Sequence, residues 1–128
     1  RCLVPASGFY EWKTVAGRKQ PYYIHPREGE LLALAGLSEQ WLGPDGLVHT
    51  CALITTSANG VMQDIHDRMP VILDARDFDA WLDPANRAAG GLQALLKPCA
   101  DELIAAHAVS TRVNAPKYDD PELIDPLA

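Results

Sequence analysis

Cysteine is scarce in this sequence, and long apolar runs are missing from it. The three cysteines, Cys2, Cys51 and Cys99, are an odd number and form no CxxC pair. Neither a disulfide framework nor a cysteine-based structural zinc site is expected, which favours a reducing, cytoplasmic location. The longest apolar runs, residues 31–37 and 51–54, are far shorter than the roughly 20 residues of a membrane span. We therefore expect no transmembrane or secretory segment and no membrane partner.

Positive charge is also in short supply. Lysine and arginine number 11 against 17 aspartate and glutamate residues, a formal net charge of −6. Because basic side chains that neutralise phosphates usually dominate the affinity for nucleic acid, this overall charge argues against such a partner. The phosphate-binding glycine motifs GxxxxGKS/T and GxGxxG are absent, as is the GxSxG motif of serine hydrolases. A nucleotide-binding enzyme and a conventional serine hydrolase are not indicated.

The sequence consists of short apolar blocks separated by turn residues. Its 128 residues, 48% of them hydrophobic, predict one compact domain over residues 1–128. Short blocks favour a strand-rich α+β fold with few short helices. The run at residues 49–56 is β-branched and apolar, which is typical of a fully buried strand. Strands are predicted over residues 1–4, 9–13, 21–25, 31–41, 49–56, 71–73 and 103–109.

Apolar residues with the spacing of an amphipathic helix occur only in the second half of the sequence. Asp74 is a good N-cap for an amphipathic helix over residues 75–82, whose apolar side includes Trp81. Leucines at residues 92–96 repeat this spacing and predict a second short helix. The tail, residues 113–128, is rich in proline and aspartate.

One acidic residue, Glu11, lies inside an aromatic strand pattern, where charge is normally disfavoured. If its side chain points into a cleft lined by Trp12 or Tyr10, desolvation suits it to proton transfer. The alternative is that strand alternation simply places Glu11 on a solvated face. The residues alone leave both interpretations open.

A second candidate is the run of His66, Asp67 and Arg68 just before an apolar strand. The imidazole can act as a general acid or base near neutral pH, and the guanidinium can hold a phosphate with two hydrogen bonds. The alternative is a surface turn in which Asp67 and Arg68 form an ordinary ion pair. Upstream, Asn59 can donate hydrogen bonds to a ligand or cap a short helix that begins near it.

The other histidines, His25, His49 and His107, show no metal-ligand spacing and lie in strand-like contexts. We expect structural or surface roles for them. No metal site and no small-molecule cofactor is predicted.

Three segments in this order resemble the SRAP (SOS response-associated peptidase) family. They are residues 1–13 (RCLVPASGFYEWK), residues 55–59 (TTSAN) leading into residues 65–73 (IHDRMPVIL), and residues 113–114 (VN) continuing to residues 120–124 (DPELI). The combination is specific, and the resemblance extends over essentially the whole chain.

The resemblance implies an α+β fold around a curved, mostly antiparallel, barrel-like sheet with a cleft for single-stranded DNA. It implies a monomer that acts in the bacterial cytoplasm near the nucleoid during the SOS response to DNA damage. In the family, removal of the initiator Met exposes a cysteine that condenses with the ring-opened aldehyde of an abasic site and forms a thiazolidine. An α-amine with a pKa of roughly 7.7–8 is partly unprotonated near neutral pH, and the adjacent thiol can close the ring.

The resemblance also implies roles for individual residues. Glu11 and His66 match the active-site glutamate and histidine that move protons, whereas Trp12, Asn59 and Arg68 match positions of site architecture or DNA contact. The family's nucleophilic cysteine and a nearby asparagine lie in an N-terminal segment that these residues do not include. Cys2 instead matches a buried structural cysteine in the family. We therefore expect an N-terminally incomplete domain that forms no crosslink by itself.

Two other functions remain open from the residues. One is a non-catalytic module that binds DNA or a protein partner through the same cleft. The other is a cysteine-type hydrolase, which requires the thiol of Cys51 or Cys99 to lie beside the imidazole of His66.

Overall fold

The computed structural model describes residues 1–127, and β-strands account for most of its regular structure. Ala128, the last residue of the predicted domain and tail, lies outside the described residues. The strands are β1 (Cys2–Ala6), β2 (Phe9–Val15), β3 (Arg18–Pro26), β4 (Leu32–Gly43), β5 (Gly46–Leu53), β6 (Thr55–Ser57), β7 (Arg68–Pro70) and β8 (Ile104–Ala108). The α-helices are α1 (Phe78–Leu82) and α2 (Ala89–Gln93), and 3-10 turns occur at Ala75–Asp77, Asp101–Leu103, Thr111–Asn114 and Pro121–Ile124.

All strand pairs are antiparallel, and they form three sheets with the orders β1-β4-β5, β2-β3-β8 and β6-β7. The predicted α+β class, with antiparallel pairing and few short helices, is confirmed. Within residues 1–127 the strands do not close into a barrel. Backbone hydrogen bonds join the first sheet to the small β6-β7 sheet instead. The Ala35 amide donates to the Val71 carbonyl at 2.9 Å, and the Val71 amide donates to the Ile54 carbonyl at 2.8 Å.

Two tight turns set the register of the hairpins. Ala16 and Gly17, between β2 and β3, have φ angles of 49° and 76°, as a two-residue type I′ turn requires. This turn places Glu11 opposite Tyr22. Between β4 and β5 the chain reverses at residues 44–45, flanked by the paired Gly43 and Gly46.

The hydrophobic core lies where the sheets and helices face one another. One cluster packs Ile24, Met69 and Ile104 between the second sheet and the small sheet, together with Leu32, Leu34, Met62, Ile72 and Cys99. A second cluster surrounds Trp81 and contains Ala35, Val71 and Leu73. Core side chains therefore pack against one side of the strands that carry candidate site residues.

The helix predicted over residues 75–82 is confirmed as a 3-10 turn that continues into α1. The Asp74 side chain accepts a hydrogen bond from the Arg76 amide at 3.0 Å, which confirms Asp74 as the N-cap. Residue Trp81 is the buried member of α1. In the described part of the chain, no helix has the length and apolar character needed to cross a bilayer.

The prediction of a fully buried strand over residues 49–56 is wrong. The chain forms β5 over Gly46–Leu53 with every residue exposed, and β6 begins after Ile54. The reason is position in the sheet: β5 is an edge strand that pairs only with β4. Within residues 1–127 no second layer covers β5 or residues 37–42 of β4, which face it. An apolar pattern shows what a strand is able to bury, whereas burial itself depends on a neighbouring layer.

Candidate functional site

A cleft of about 660 Å³ lies at the β2 edge of the second sheet. Glu11 and Trp12 reach it from β2, and His66 reaches it from the loop before β7. The structure thus brings together three predicted site residues that are as many as 55 positions apart in sequence. The complete lining is Glu11, Trp12, Lys19, His66, Val113 and Asn114.

Glu11 is half-buried at the wall of this cleft. Adjacent residues of a strand point to opposite faces, yet both Glu11 and Trp12 border the cleft because β2 is the edge strand. Of the two interpretations of Glu11, its location fits the cleft and not an open solvated face. Its catalytic role stays a prediction.

The indole of Trp12 is fixed by a hydrogen bond. Its Nε1 donates to Oδ1 of Asn114 at 2.7 Å, from the turn Thr111–Asn114. One edge of the ring is thereby held while the cleft borders the rest of it. Neither Asn114 nor Lys19 was predicted to belong to the site. Asn114 lies within a segment that carries the family resemblance, whereas no pattern in the sequence indicates Lys19.

The imidazole of His66 is 42% exposed and oriented by its own loop. The Arg68 amide donates to Nδ1 at 3.0 Å, and a carboxylate oxygen of Asp67 lies 3.3 Å from the same nitrogen. The Arg68 carbonyl oxygen also lies 3.2 Å from Nδ1, so this nitrogen faces one donor and two acceptors. The imidazole lines the cleft and can accept a proton or, once protonated, donate one.

Arg68 lies beside the cleft and does not line it. Its guanidinium donates to the carbonyl oxygen of Thr55 at 2.9 Å and to the hydroxyl oxygen of Thr55 at 2.8 Å. The ordinary ion pair with Asp67 that the sequence left open is not formed among residues 1–127. The side chain is exposed, so its charge remains accessible to a ligand.

Asn59 is buried, with 8% of its surface exposed, and faces the protein interior. Its Nδ2 donates to the Cys99 carbonyl at 3.2 Å, and its Oδ1 accepts from the Met62 amide at 3.1 Å. These two hydrogen bonds connect the turn before His66 with the segment around Cys99. The position is that of a residue that supports the loop carrying His66, and its role at the site stays a prediction.

Replacing Asn59 with Ala is expected to destabilise the protein by about 2 kcal/mol, since a buried amide and a buried carbonyl lose their partners. Urea unfolding followed by circular dichroism measures the change. Asn86 is half-buried and its Nδ2 donates to the Ala80 carbonyl where solvent can replace it, so it provides the control. Asn86→Ala should cost less than about 1 kcal/mol. Equal losses in both variants would contradict a supporting role for Asn59.

The three thiols all lie away from the cleft. Cys99 is buried beside Asn59, and burial raises its pKa to about 11, so it is a neutral thiol at physiological pH. The thiols of Cys2 and Cys51 lie 3.8 Å apart, above Gly36 in the first sheet. Among residues 1–127, His66 has no hydrogen bond to a thiol. This arrangement rules out the cysteine-hydrolase interpretation.

Comparison with known proteins shows which family the chain is similar to. The family model described as SOS response associated peptidase (SRAP) matches residues 1–116 of the chain. Among curated proteins, the chain is similar to the abasic site processing protein YoqW of Bacillus subtilis, with 46% identity over 127 residues. It is also similar to the abasic site processing protein HMCES of Gallus gallus, with 38% identity over 148 residues.

These matches cover nearly all of this chain and about half of each relative. The alignment with YoqW takes in 98% of this chain and 57% of that protein, and the alignment with HMCES takes in 99% and 44%. Among solved structures, a Bacteroides thetaiotaomicron protein superposes with a TM-score of 0.90 at 29% identity, covering 98% of this chain and 56% of that one. A phage-related protein of Bordetella bronchiseptica gives a TM-score of 0.66 at 37% identity, covering 85% and 53%.

Proposed function

The chain belongs to the SOS response associated peptidase (SRAP) family, and from this premise we propose that it takes part in processing abasic sites in damaged DNA. Since it spans about half the length of its curated relatives, the proposal concerns the gene product that carries this chain. The observation that supports it is the cleft shared by Glu11, Trp12 and His66. A carboxylate and an imidazole can transfer protons, and an indole can stack on a base or a sugar.

The proposed substrate is single-stranded DNA with an abasic site. The indole of Trp12, held by Asn114, stacks on a nucleobase next to the lesion. Lys19 in the cleft and Arg68 beside it contact phosphates. With a formal net charge of −6 over the chain, such contacts are few, and affinity should depend only weakly on salt.

The proposed chemistry is covalent capture of the aldehyde. The α-amine of an N-terminal cysteine adds to the aldehyde carbon, water leaves as the imine forms, and the thiol then adds to the imine carbon to give a thiazolidine. Glu11 accepts the protons that the amine and the thiol release, and Glu11 and the protonated imidazole of His66 deliver the two protons with which the aldehyde oxygen leaves as water. Cys2, Cys51 and Cys99 cannot serve as this nucleophile, so the crosslink depends on a cysteine outside these 128 residues.

The peptidase activity is proposed to be self-directed. Hydrolysis of the bond after the initiator Met adds water to that amide and exposes the α-amine of the cysteine, and the same carboxylate and imidazole can move the protons. We propose that the protein acts as a monomer in the cytoplasm, on DNA of the nucleoid.

Two oligonucleotides test this function. Single-stranded DNA with one natural abasic site is compared with DNA that carries tetrahydrofuran, which has no aldehyde, at the same position. The gene product and the 128-residue chain are each analysed by denaturing gel electrophoresis and by fluorescence anisotropy. A gel shift with the natural site only supports capture. Abasic-selective binding without a gel shift favours the non-catalytic module, and no selectivity in either measurement overturns the proposal.

Replacing Trp12 with Ala is expected to weaken single-stranded DNA binding by about tenfold, the effect of losing one stacked base. Anisotropy titrations at a fixed salt concentration measure the affinity. Trp41, which is 58% exposed on β4 and outside the cleft lining, is the matched control. An equal loss of affinity in Trp12→Ala and Trp41→Ala would show that the cleft does not bind the DNA.

A further inference from the structure

A second cavity, of about 390 Å³, lies on the face of the β2-β3-β8 sheet that is opposite to the side chain of Glu11. Glu11 is paired with Tyr22, and successive strand residues point to opposite faces. Tyr23 and His25 therefore face away from Glu11, and His107 is on their side because it is paired with Tyr23. The cavity is lined by Ser7, Tyr23, His25, Pro26, Gly29, Glu30, His107, Ile124 and Asp125.

Two imidazoles meet in this cavity. The ring centroids of His25 and His107 lie 5.2 Å apart, and both rings contact Tyr23, whose centroid is 5.6 Å from His25 and 5.9 Å from His107. His25 is paired with Ala105, two residues from His107, so the histidines are diagonal neighbours on adjacent strands. Tyr23 is buried and supports both rings.

Each imidazole uses one nitrogen to bind a backbone carbonyl. Nδ1 of His25 donates to the Pro26 carbonyl at 2.8 Å, and Nε2 of His107 donates to the Ile124 carbonyl at 2.8 Å. A carbonyl oxygen only accepts, so each bonded nitrogen carries the ring proton. Nε2 of His25 and Nδ1 of His107 are then left with free lone pairs.

A neutral imidazole of this kind is a ligand for transition-metal ions. Metal-bound histidines commonly donate their other N–H group to a carbonyl or carboxylate, which fixes the tautomer. Two rings bound to one tetrahedral ion, with metal–nitrogen bonds of about 2 Å, have centroids about 5 Å apart. The 5.2 Å separation of the His25 and His107 rings is compatible with this value, although rings that only pack against each other also lie about 4.5–7 Å apart.

The remaining coordination positions have oxygen donors nearby. Glu30 and Asp125 are exposed carboxylates that line the same cavity and can offset the charge of a cation. Across residues 1–127, no three His, Cys, Asp or Glu side chains are already arranged around one metal position. Water, or a carboxylate that rotates inward, must complete the coordination, so an ion bound here is exchangeable.

We propose that His25 and His107 form a binding site for a divalent transition-metal ion of the zinc class, through Nε2 and Nδ1 respectively. The ion links β3 to β8, and His107 in turn holds the Ile124 carbonyl of the turn Pro121–Ile124. Occupancy therefore stabilises the attachment of the C-terminal turn to the sheet. The cavity shares no lining residue with the DNA cleft, so the proposal does not rest on the chemistry proposed there.

Zinc titration followed by histidine-selective ¹H–¹⁵N NMR tests the proposal. All proteins carry Cys51→Ser, so that the neighbouring thiols of Cys2 and Cys51 do not compete for the ion. Before zinc is added, His25 should be the Nδ1–H tautomer and His107 the Nε2–H tautomer. Added Zn²⁺ should then shift Nε2 of His25 and Nδ1 of His107, and it should raise the melting temperature.

Three substitutions identify the ligands. His25→Gln and His107→Gln should each weaken zinc binding by about tenfold or more, whereas His49→Gln, on the exposed strand β5, should leave it unchanged. Isothermal titration calorimetry measures the affinities, and circular dichroism confirms that each variant is folded. Zinc affinity that is the same in all four proteins, or shifts confined to His49 and His66, would overturn the proposal.

Discussion

Replacing Glu11 with Gln is expected to slow capture of abasic DNA by the gene product about 100-fold or more, the usual range for loss of a general acid or base. Gln keeps the size of the side chain and its ability to accept hydrogen bonds, but it cannot take up a proton. Since Glu11 only borders the cleft, DNA affinity should change much less than the rate. Single-turnover crosslinking, quenched at intervals and resolved on denaturing gels, gives the rate constant.

A shorter carboxylate separates catalysis from positioning at this residue. If Glu11 acts as the base, Glu11→Asp can still take up a proton and should recover part of the rate that Glu11→Gln loses. Glu39→Gln, in the exposed part of β4, keeps the rate. A Glu11→Asp rate as low as that of Glu11→Gln would assign Glu11 to positioning instead.

Trp81→Ala should have the largest effect on stability, a loss of about 4 kcal/mol as expected for a buried tryptophan. The side chain is 2% exposed and packs against Ala35, Val71 and Leu73. Its Nε1 also donates to the Cys2 carbonyl at 2.9 Å, so β1 loses a hydrogen bond as well. A small domain has a stability of only about 5–15 kcal/mol, and a large part of it would disappear.

Urea unfolding of three variants separates packing from hydrogen bonding. Trp81→Phe keeps most of the buried ring and loses the hydrogen bond, and we expect it to cost about 1–2 kcal/mol. Trp41→Ala, at a residue that is 58% exposed, should change stability by less than about 1 kcal/mol. The contacts indicate that Trp81 attaches α1 to the core. Equal losses of stability in Trp41→Ala and Trp81→Ala would contradict this.

The family resemblance pointed to residues that lie together in the structure, whereas one prediction of burial was wrong. Glu11, Trp12 and His66 were identified because their segments resemble one family, and they do line one cleft. Arg68 and Asn59 were identified in the same way, yet Arg68 lies beside the cleft and Asn59 lies behind it. Motif similarity identifies residues near a site, but it does not distinguish the side chains that line the site from those that support it.

Two failures of prediction have the same physical origin. Residues 49–56 were predicted to be buried because a β-branched, apolar run is a property of the segment itself, whereas burial depends on which layer covers it. Lys19 lines the cleft together with His66 and Asn114, which are distant from it in sequence. His25 meets His107 through the pairing of β3 with the distant β8. Contacts of this kind leave no spacing pattern in a single sequence.

The strand β4 extends well beyond its partner β1, which pairs only with residues 32–36. Residues 37–43 of β4 and the facing part of β5 therefore form a two-stranded ribbon with exposed apolar residues such as Trp41, Leu42 and Leu47. An isolated ribbon of two strands is only marginally stable in water. Its amide protons should exchange with deuterated solvent through local opening, long before those of β3. The protein thus has a graded stability, in which the ribbon opens first while the sheet that carries Glu11 stays folded.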